Sequence, residues 1–507
     1  MAHRKMQAFP AVVAMLSRWR RRSPAALVFT SALLLAGCTT LAPDYERPDV
    51  VAPEAYRFEP AEVAATADTA WWQQFGDPVL EELIATALRN NYDVQIAAAN
   101  VEQALGIVTQ TRSALYPQLG YGLSGEEVRS PDTGLTALVP NIPNPQDTYQ
   151  AFLSASWELD LWGRIRNLST AAQANMLATN EVRRGVILTL VSSVANAYIA
   201  LRGLDEQLAV SQRTLAAYGE SVRLYELQFK YGQTSQMTVA QAKSQYETAA
   251  TQIPQIESDI AQLENALSVL LGRNPAPIPR GEPISALLTP AVPAGLPSEL
   301  LERRPDLLQA EQALIAANAQ IGAARALYFP TISLTGAFGS TSSSLSDLFE
   351  GSTRSWNYAG QVVGPIFTFG AVSGQVAQAE AAQRAALAGY RLAVQNAFAD
   401  VDNALVASEK IAQQLQAQER LVSALTDYQR LAKLQYDGGY VPYSTVLQAE
   451  QTLFPAELTL AALRASVLTS STNIYKAMGG GWVDEAGKLT GRPAPPVGEA
   501  DGPPPLF

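Results

Sequence analysis

Two kinds of hydrophobic periodicity alternate along the chain, and each occurs twice. The stretches 92–114 and 306–326 are alanine-rich with helical spacing, and they run out at Tyr116-Pro117 and Phe329-Pro330. Beyond each proline the period changes from helical to alternating, which predicts a strand. Leu119, Tyr121 and Leu123 fall on one face of the first, with Gln118, Gly120, Gly122 and Ser124 on the other. The returning segment sets Tyr149, Ala151, Leu153, Ala155 and Trp157 against Gln150, Ser154, Ser156 and Glu158. In the second occurrence Ile332, Leu334 and Phe338 oppose Thr331, Ser333 and Thr335, and then Trp356, Tyr358 and Val362 oppose Asn357 and Gln361. Runs of about ten residues have the length of a tilted strand that crosses a bilayer. Two amphipathic hairpins of a soluble sandwich would show the same alternation.

Each hairpin is followed by a long proline-free stretch, 168–253 and 371–441. In the first, Leu201, Leu204, Leu208, Leu215, Tyr218, Val222, Tyr225 and Phe229 recur about every 3.5 residues once Ser211 fills the skipped place, the narrow seam of a coiled coil. Ile411, Leu415, Val422 and Leu425 repeat it. A helix of about 60 residues would be about 90 Å long. Breaks are predicted at Lys230-Tyr231-Gly232-Gln233 and Asp437-Gly438-Gly439-Tyr440, after which the helices resume to Leu271-Gly272 and Met478-Gly479. Each copy thus ends in a helical hairpin with a glycine turn at its tip.

The two copies align residue by residue. A shift of 213 brings Asp93 onto Asp306, Arg112 onto Arg325 and Pro117 onto Pro330; a shift of 207 brings Gly163 onto Gly370, Gly232 onto Gly439 and Gly272 onto Gly479. The six-residue change lies in a Pro/Gly/Asn-rich loop between the first pair of strands. This is duplication of one large unit rather than a short-period solenoid. The chain therefore divides into a leader 1–37, a segment 38–90, a first repeat 91–272, a Pro-rich linker 273–305, a second repeat 306–482 and a tail 483–507 expected to be disordered.

Composition then narrows the chemistry. His3 and Cys38 are the only histidine and cysteine, which removes His-based triads, zinc sites and structural disulfides, and no cofactor is expected. Six of the 36 basic residues lie in the leader, leaving 30 against 47 acidic ones, a net −17 that disfavours nucleic acid as a partner. The leader itself is a basic segment, an apolar run from Ala25 to Ala36, and Leu35-Ala36-Gly37-Cys38. That run is too short to span a bilayer but suits a secretory signal, and the small residues before a lone cysteine resemble a bacterial lipobox, so Cys38 is the expected lipidation site. By the same resemblance Thr39 after the cysteine favours the outer membrane. The run Arg20-Arg21-Arg22 reads as an ordinary basic region, with a twin-arginine export signal as the alternative.

Four membrane strands cannot close a barrel alone, since single-chain barrels start at about eight, so the chain must oligomerise. Here the sequence resembles the TolC-like outer-membrane efflux channels, lipoprotein (NodT-type) branch, over essentially all of 38–482. The resemblance rests on Trp71-Trp72-Gln73-Gln74-Phe75-Gly76-Asp77-Pro78, on 296–307 with Arg303-Arg304-Pro305-Asp306, on Gly364-Pro365-Ile366-Phe367 and on Tyr475-Lys476-Ala477-Met478-Gly479-Gly480-Gly481-Trp482. It implies a mixed α+β membrane protein: a homotrimer with a twelve-stranded transmembrane β-barrel continued by a coiled-coil helical periplasmic barrel, segment 38–90 being equatorial. It also implies a passive gated duct for small molecules, no enzyme, working with a periplasmic adaptor and an inner-membrane pump. A protein-secretion duct of the same fold, or a tethered helical scaffold without a pore, are the rival readings. Pairs such as Asp400 and Asp402, or Glu81 and Glu82, have the spacing of solvated helix faces rather than of acid/base catalysts.

The resemblance assigns the tips Gly232, Gln233, Gly439 and Tyr440 to adaptor contact. It also locates a gate, where relatives often carry acidic residues about six and nine positions after the second tip glycine, followed by an arginine. This chain has Thr445 and Gln448, with Gln451 in the arginine position. A neutral ring is expected, held by amide hydrogen bonds and by apolar packing around Tyr436 and Leu447, with Glu450 turned away on the face of its repeat counterpart Lys243.

Overall fold

The computed structural model describes residues 41–53, 55–58, 68–131, 144–292 and 297–490, in two compact units. One unit comprises Met1–Glu46, Ile107–Gln173 and Ile315–Arg384; the other comprises Arg47–Gly106, Ala174–Leu314 and Ala385–Phe507. In chain order a 3-10 turn Trp71–Phe75 precedes α1 (Pro78–Asn90), α2 (Tyr92–Ser113), β1 (Gln118–Val128), β2 (Gln146–Leu159), α3 (Arg164–Lys230) and α4 (Gln236–Leu270). The second half has α5 (Pro305–Ala326), β3 (Thr331–Ser342), β4 (Arg354–Val363), α6 (Ala371–Asp437), α7 (Tyr443–Met478) and α8 (Trp482–Lys488). The duplication is visible in lengths: α2 and α5 have 22 residues each, and α3 and α6 have 67 each. The repeat-related glycines Gly163/Gly370, Gly232/Gly439 and Gly272/Gly479 all have positive φ, the conformation a side chain resists.

In the first unit the strands form one antiparallel sheet in the order β1-β2-β3-β4. Directly opposed residues of an antiparallel pair share a face. Tyr121 pairs with Leu153, Leu153 with Phe338, and Phe338 with Trp356, so the alternating apolar positions of all four strands lie on one side. Tyr121, Trp356 and Tyr358 are widely exposed there, as a lipid-facing surface requires. The other side is small and polar, with Phe152 as an exception: its ring fills the space that a Cβ on Gly122 would need.

The second unit is built on buried helix faces. Asp77 accepts from the Val79 backbone N–H at 2.9 Å and starts α1, with Pro78 in the first helical position, where its missing N–H is harmless. Leu80, Leu83, Ile84, Ala87 and Leu88 then recur at helical spacing and bury against Ile187, Val191, Val194 and Tyr198 of α3. Tyr198 returns to the cap by donating its hydroxyl to Asp77 at 2.7 Å. The α3 seam beyond it is filled as the spacing required at Leu201, Ser211, Tyr218 and Tyr225, but Phe229 lies exposed at its end.

One boundary needs correcting. The tail 483–507 was expected to be disordered, yet it opens inside α8, whose Trp482, Val483 and Ala486 are buried. Trp482 meets Trp71 at 5.8 Å and Trp72 at 5.9 Å, and Trp71 stacks on Tyr475 at 5.3 Å. Aromatic burial of this size outweighs the glycines around it. Residues 491–507 lie outside the described residues.

Candidate functional site

The candidate site is the end of the helical unit where the two hairpins turn. At the first tip the Gln233 N–H donates to Gln228 O at 2.8 Å and the Gly232 N–H to Phe229 O at 2.9 Å. The second tip repeats this with Tyr440 to Gln435 O at 2.9 Å and Gly439 to Tyr436 O at 2.9 Å. This closing pattern gives partners to carbonyls of the last turns of α3 and α6 and needs a left-handed residue, which is why glycine stands there. Gly232, Gln233, Gly439 and Tyr440 are all exposed, Tyr440 at 85%.

Just behind the tips a tyrosine cluster joins the hairpins. Tyr225 of α3 lies 4.3 Å from Tyr443 of α7 and 6.2 Å from Tyr436 of α6, ring centre to ring centre, and Tyr436 and Tyr443 are 5.7 Å apart. Val239, Ala242, Ala432, Val446, Leu447 and Ala449 complete it. Of the residues assigned to the gate, Gln448 and Gln451 are exposed and Thr445 is half-buried, a stripe at three-residue intervals on α7. Leu447 is buried and Tyr436 half-buried in the tyrosine cluster.

Glu450 is the residue that sequence reasoning undervalued. It does turn away from Gln448, but into the packed interface: it is 8% exposed, and its Oε2 has no hydrogen-bond partner. The Tyr218 hydroxyl donates to its backbone oxygen at 3.2 Å. Burial pushes the carboxyl up to about 7, against the opposing pull of Lys433 and Gln429 on α6. A signal was present in the repeat. In the first copy Lys243 and Glu226 form an exposed ion pair at 2.7 Å; in the second the two places carry Glu450 and Lys433, the charges exchanged.

The acidic pairs of the sequence are engaged elsewhere. Asp400 accepts from Arg304 at 3.0 Å, Asp402 accepts from the Arg57 backbone N–H at 3.0 Å, and Glu82 pairs with Arg89 at 2.7 Å. Arg304 also donates to Ala477 O at 2.9 Å near the end of α7. It borders a cavity of about 690 Å³ that Asp306, Asp400, Asn473 and Lys476 help to line. Among the described residues no group of three or more acidic, histidine or cysteine side chains could hold a metal ion. Cys38 lies outside the described residues.

A family model for outer membrane efflux proteins matches residues 83–273 and 296–480. The toluene efflux pump outer membrane protein TtgC of Pseudomonas putida is 37% identical over 470 residues, covering 90% of this chain and 96% of its own. The probable outer membrane lipoprotein SilC of Salmonella typhimurium is 36% identical over 467 residues, covering 90% and 99%. Among solved structures, the open state of the Neisseria gonorrhoeae MtrE outer membrane channel superposes with a TM-score of 0.79 at 33% identity, over 88% of this chain and 99% of that one.

Proposed function

The chain belongs to the outer membrane efflux protein family, and from that premise we propose that it works as a passive, gated duct made of three copies. The observation that carries this reading is the four-stranded sheet, apolar on one face, with β1 and β4 each paired on one side only among the described residues. In lipid an open edge leaves backbone groups unsatisfied at several kcal/mol each, on the order of ten such groups per edge. Twelve strands from three copies remove every edge. The helical hairpins carry the conduit into the periplasm, where an adaptor and an inner-membrane pump supply direction and energy. The exported cargo is of small molecules.

Cys38 anchors each copy in the same membrane through its acyl chains. The mass of the mature N-terminal peptide tests this: an unmodified cysteine, or cleavage at another position, would remove the anchor from the account.

The exposed tips contact the adaptor. Replacing Gly439 and Tyr440 together is expected to raise drug sensitivity several-fold while the oligomer stays intact; unchanged export from that variant would release the second tip from this role.

Gln448 and Gln451 line a neutral constriction. Threefold symmetry turns one carboxylate there into three mutually repelling charges, the arrangement a multivalent cation relieves. In planar bilayers the wild type should conduct and be blocked weakly by trivalent cations, and Gln448→Asp should be blocked strongly. Equal block of both would move the constriction elsewhere, and absence of conductance in open-gate variants would count against the duct.

A further inference from the structure

Gln448 and Gln451 begin a stripe of α7 that does not stop at the constriction. It continues from Pro455 in steps of three and four residues through Thr459, Ala462, Ser466 and Thr469 to Asn473 and Lys476, each of them exposed or half-buried. A stripe with that mean spacing keeps to one side of a helix packed in a coiled coil. The cavity of about 690 Å³ beside Arg304 has Ser466, Asn473 and Lys476 on its wall. It therefore lies on the same side of α7 as the constriction, toward the other end of the helix.

Comparison of the two repeats separates what the fold needs from what the cavity adds. Asn91 donates its Nδ2 to Leu270 O at 3.0 Å, and the repeat-related Arg304 donates its Nη1 to the repeat-related Ala477 O at 2.9 Å. A neutral amide thus suffices to tie these helix ends together in the first copy. The same shifts turn Ser193 into Asp400 and Val269 into Lys476, while Asp93 stays an aspartate as Asp306. Arg304, Asp400 and Lys476 are charges of the second copy alone, and all three border the cavity. Arg304 spends its guanidinium inside the protein, with Nε and Nη2 on Asp306 at 3.0 and 2.7 Å and Nη2 also on Asp400 Oδ2 at 3.0 Å. Arg304 and Asp306 cancel as a two-pronged pair. What remains is a negative charge on Asp400, whose side chain is 55% exposed, and a positive one on the exposed Lys476.

We propose that this cavity is a binding station for zwitterionic amphipathic molecules on the wall of the duct, with their ammonium on Asp400 and their carboxylate on Lys476. This rests on the small-molecule duct described above and names a class of cargo that pauses in it. The space suits a drug-sized molecule, for which pockets of about 300–1,000 Å³ are usual. Leu188, Ala404, Ala407 and Ile411 supply an apolar floor for its body. A molecule with only one of the two charges leaves the second side chain unmatched and meets it as a like charge, so the pair selects against both singly charged forms.

The test uses the full chain in uncharged detergent and ciprofloxacin as the probe, followed by the anisotropy of its own fluorescence. Its ethyl ester carries only the ammonium, and its N-acetyl derivative only the carboxylate. The zwitterion is expected to bind about tenfold tighter than either derivative. Asp400→Asn should bring the zwitterion down to the level of the N-acetyl form, and Lys476→Gln to the level of the ester. Ala407→Trp fills the cavity without touching a charge and should weaken all three probes by about tenfold while the oligomer keeps its size. Equal affinities for the three probes would overturn the zwitterion assignment, and full binding by the tryptophan variant would overturn the cavity as the place. Conductance in planar bilayers keeps this inference apart from the reading beneath it. A conducting wild type that binds no probe refutes the station alone, whereas absence of conductance in open-gate variants refutes the duct.

Discussion

Trp482→Ala is expected to destabilise the helical unit by about 3–5 kcal/mol, the range for removing a large aromatic side chain from a packed core. Trp482 is fully buried, meets Trp71 and Trp72 edge to face, and donates its Nε1 to Gly479 O at 3.0 Å. The ring is the meeting point of three stretches: the 3-10 turn Trp71–Phe75, distant in sequence, and the adjacent end of α7 with Tyr475 and α8. Its loss leaves a cavity that these neighbours cannot fill together, because Trp71 is itself held against Tyr475. Trp482→Phe keeps most of the apolar contact and should cost less than half as much. Denaturant titration of the helical signal in detergent measures both, and a change below about 1 kcal/mol for the alanine variant would show that α8 is peripheral to the fold.

The second large effect is one of pH. The Glu450 carboxyl ionises at about 7 in the folded chain against 4.5 for an unburied glutamate. Between these values the unfolded chain releases the proton while the folded chain keeps it, so stability falls as pH rises from about 4.5 to about 7. The penalty is complete above 7 and absent below 4.5; at about 1.4 kcal/mol per pH unit it amounts to roughly 3 kcal/mol. Glu450→Gln keeps the shape and loses the charge. It should raise stability at pH 8 by a similar amount, leave it nearly unchanged at pH 4.5, and flatten the slope between. Lys433 and Gln429 face the carboxyl from α6, and Tyr443 and Tyr218 lie close enough to sense its charge. A slope that persists in the glutamine variant would assign the titration to another group. Because Glu450 sits two positions from Gln448, the same variant should also change how readily the hairpins part at the constriction.

Sequence alone determined the sheet. A strand with one face toward lipid encodes its orientation in every second residue, so Tyr121, Leu153, Phe338 and Trp356 could be put on one side before their pairing was known, and the register then joined them. It also determined the tips, because a left-handed turn closing a long helix leaves glycine as its mark at Gly232 and Gly439. The duplication needed only residue identities. Tertiary structure decided the rest. Periodicity fixes where a side chain points around its own helix axis, and not what stands there. On α7 the buried face takes in Tyr443, Val446, Leu447, Ala449, Glu450 and Leu453, wider than a two-helix seam, because the helix packs against more than one neighbour. Glu450 could therefore be read correctly as pointing away from Gln448 and still be misjudged, since what lies on that side is α6 rather than water. Tyr436 was drawn into the protomer by Tyr225 and Tyr443, residues that no local pattern connects to it. From Val483 onward no local pattern sets the chain apart from a loose tail, and only the pocket formed by Trp71 and Trp72, some four hundred residues before Trp482, makes α8 part of the core.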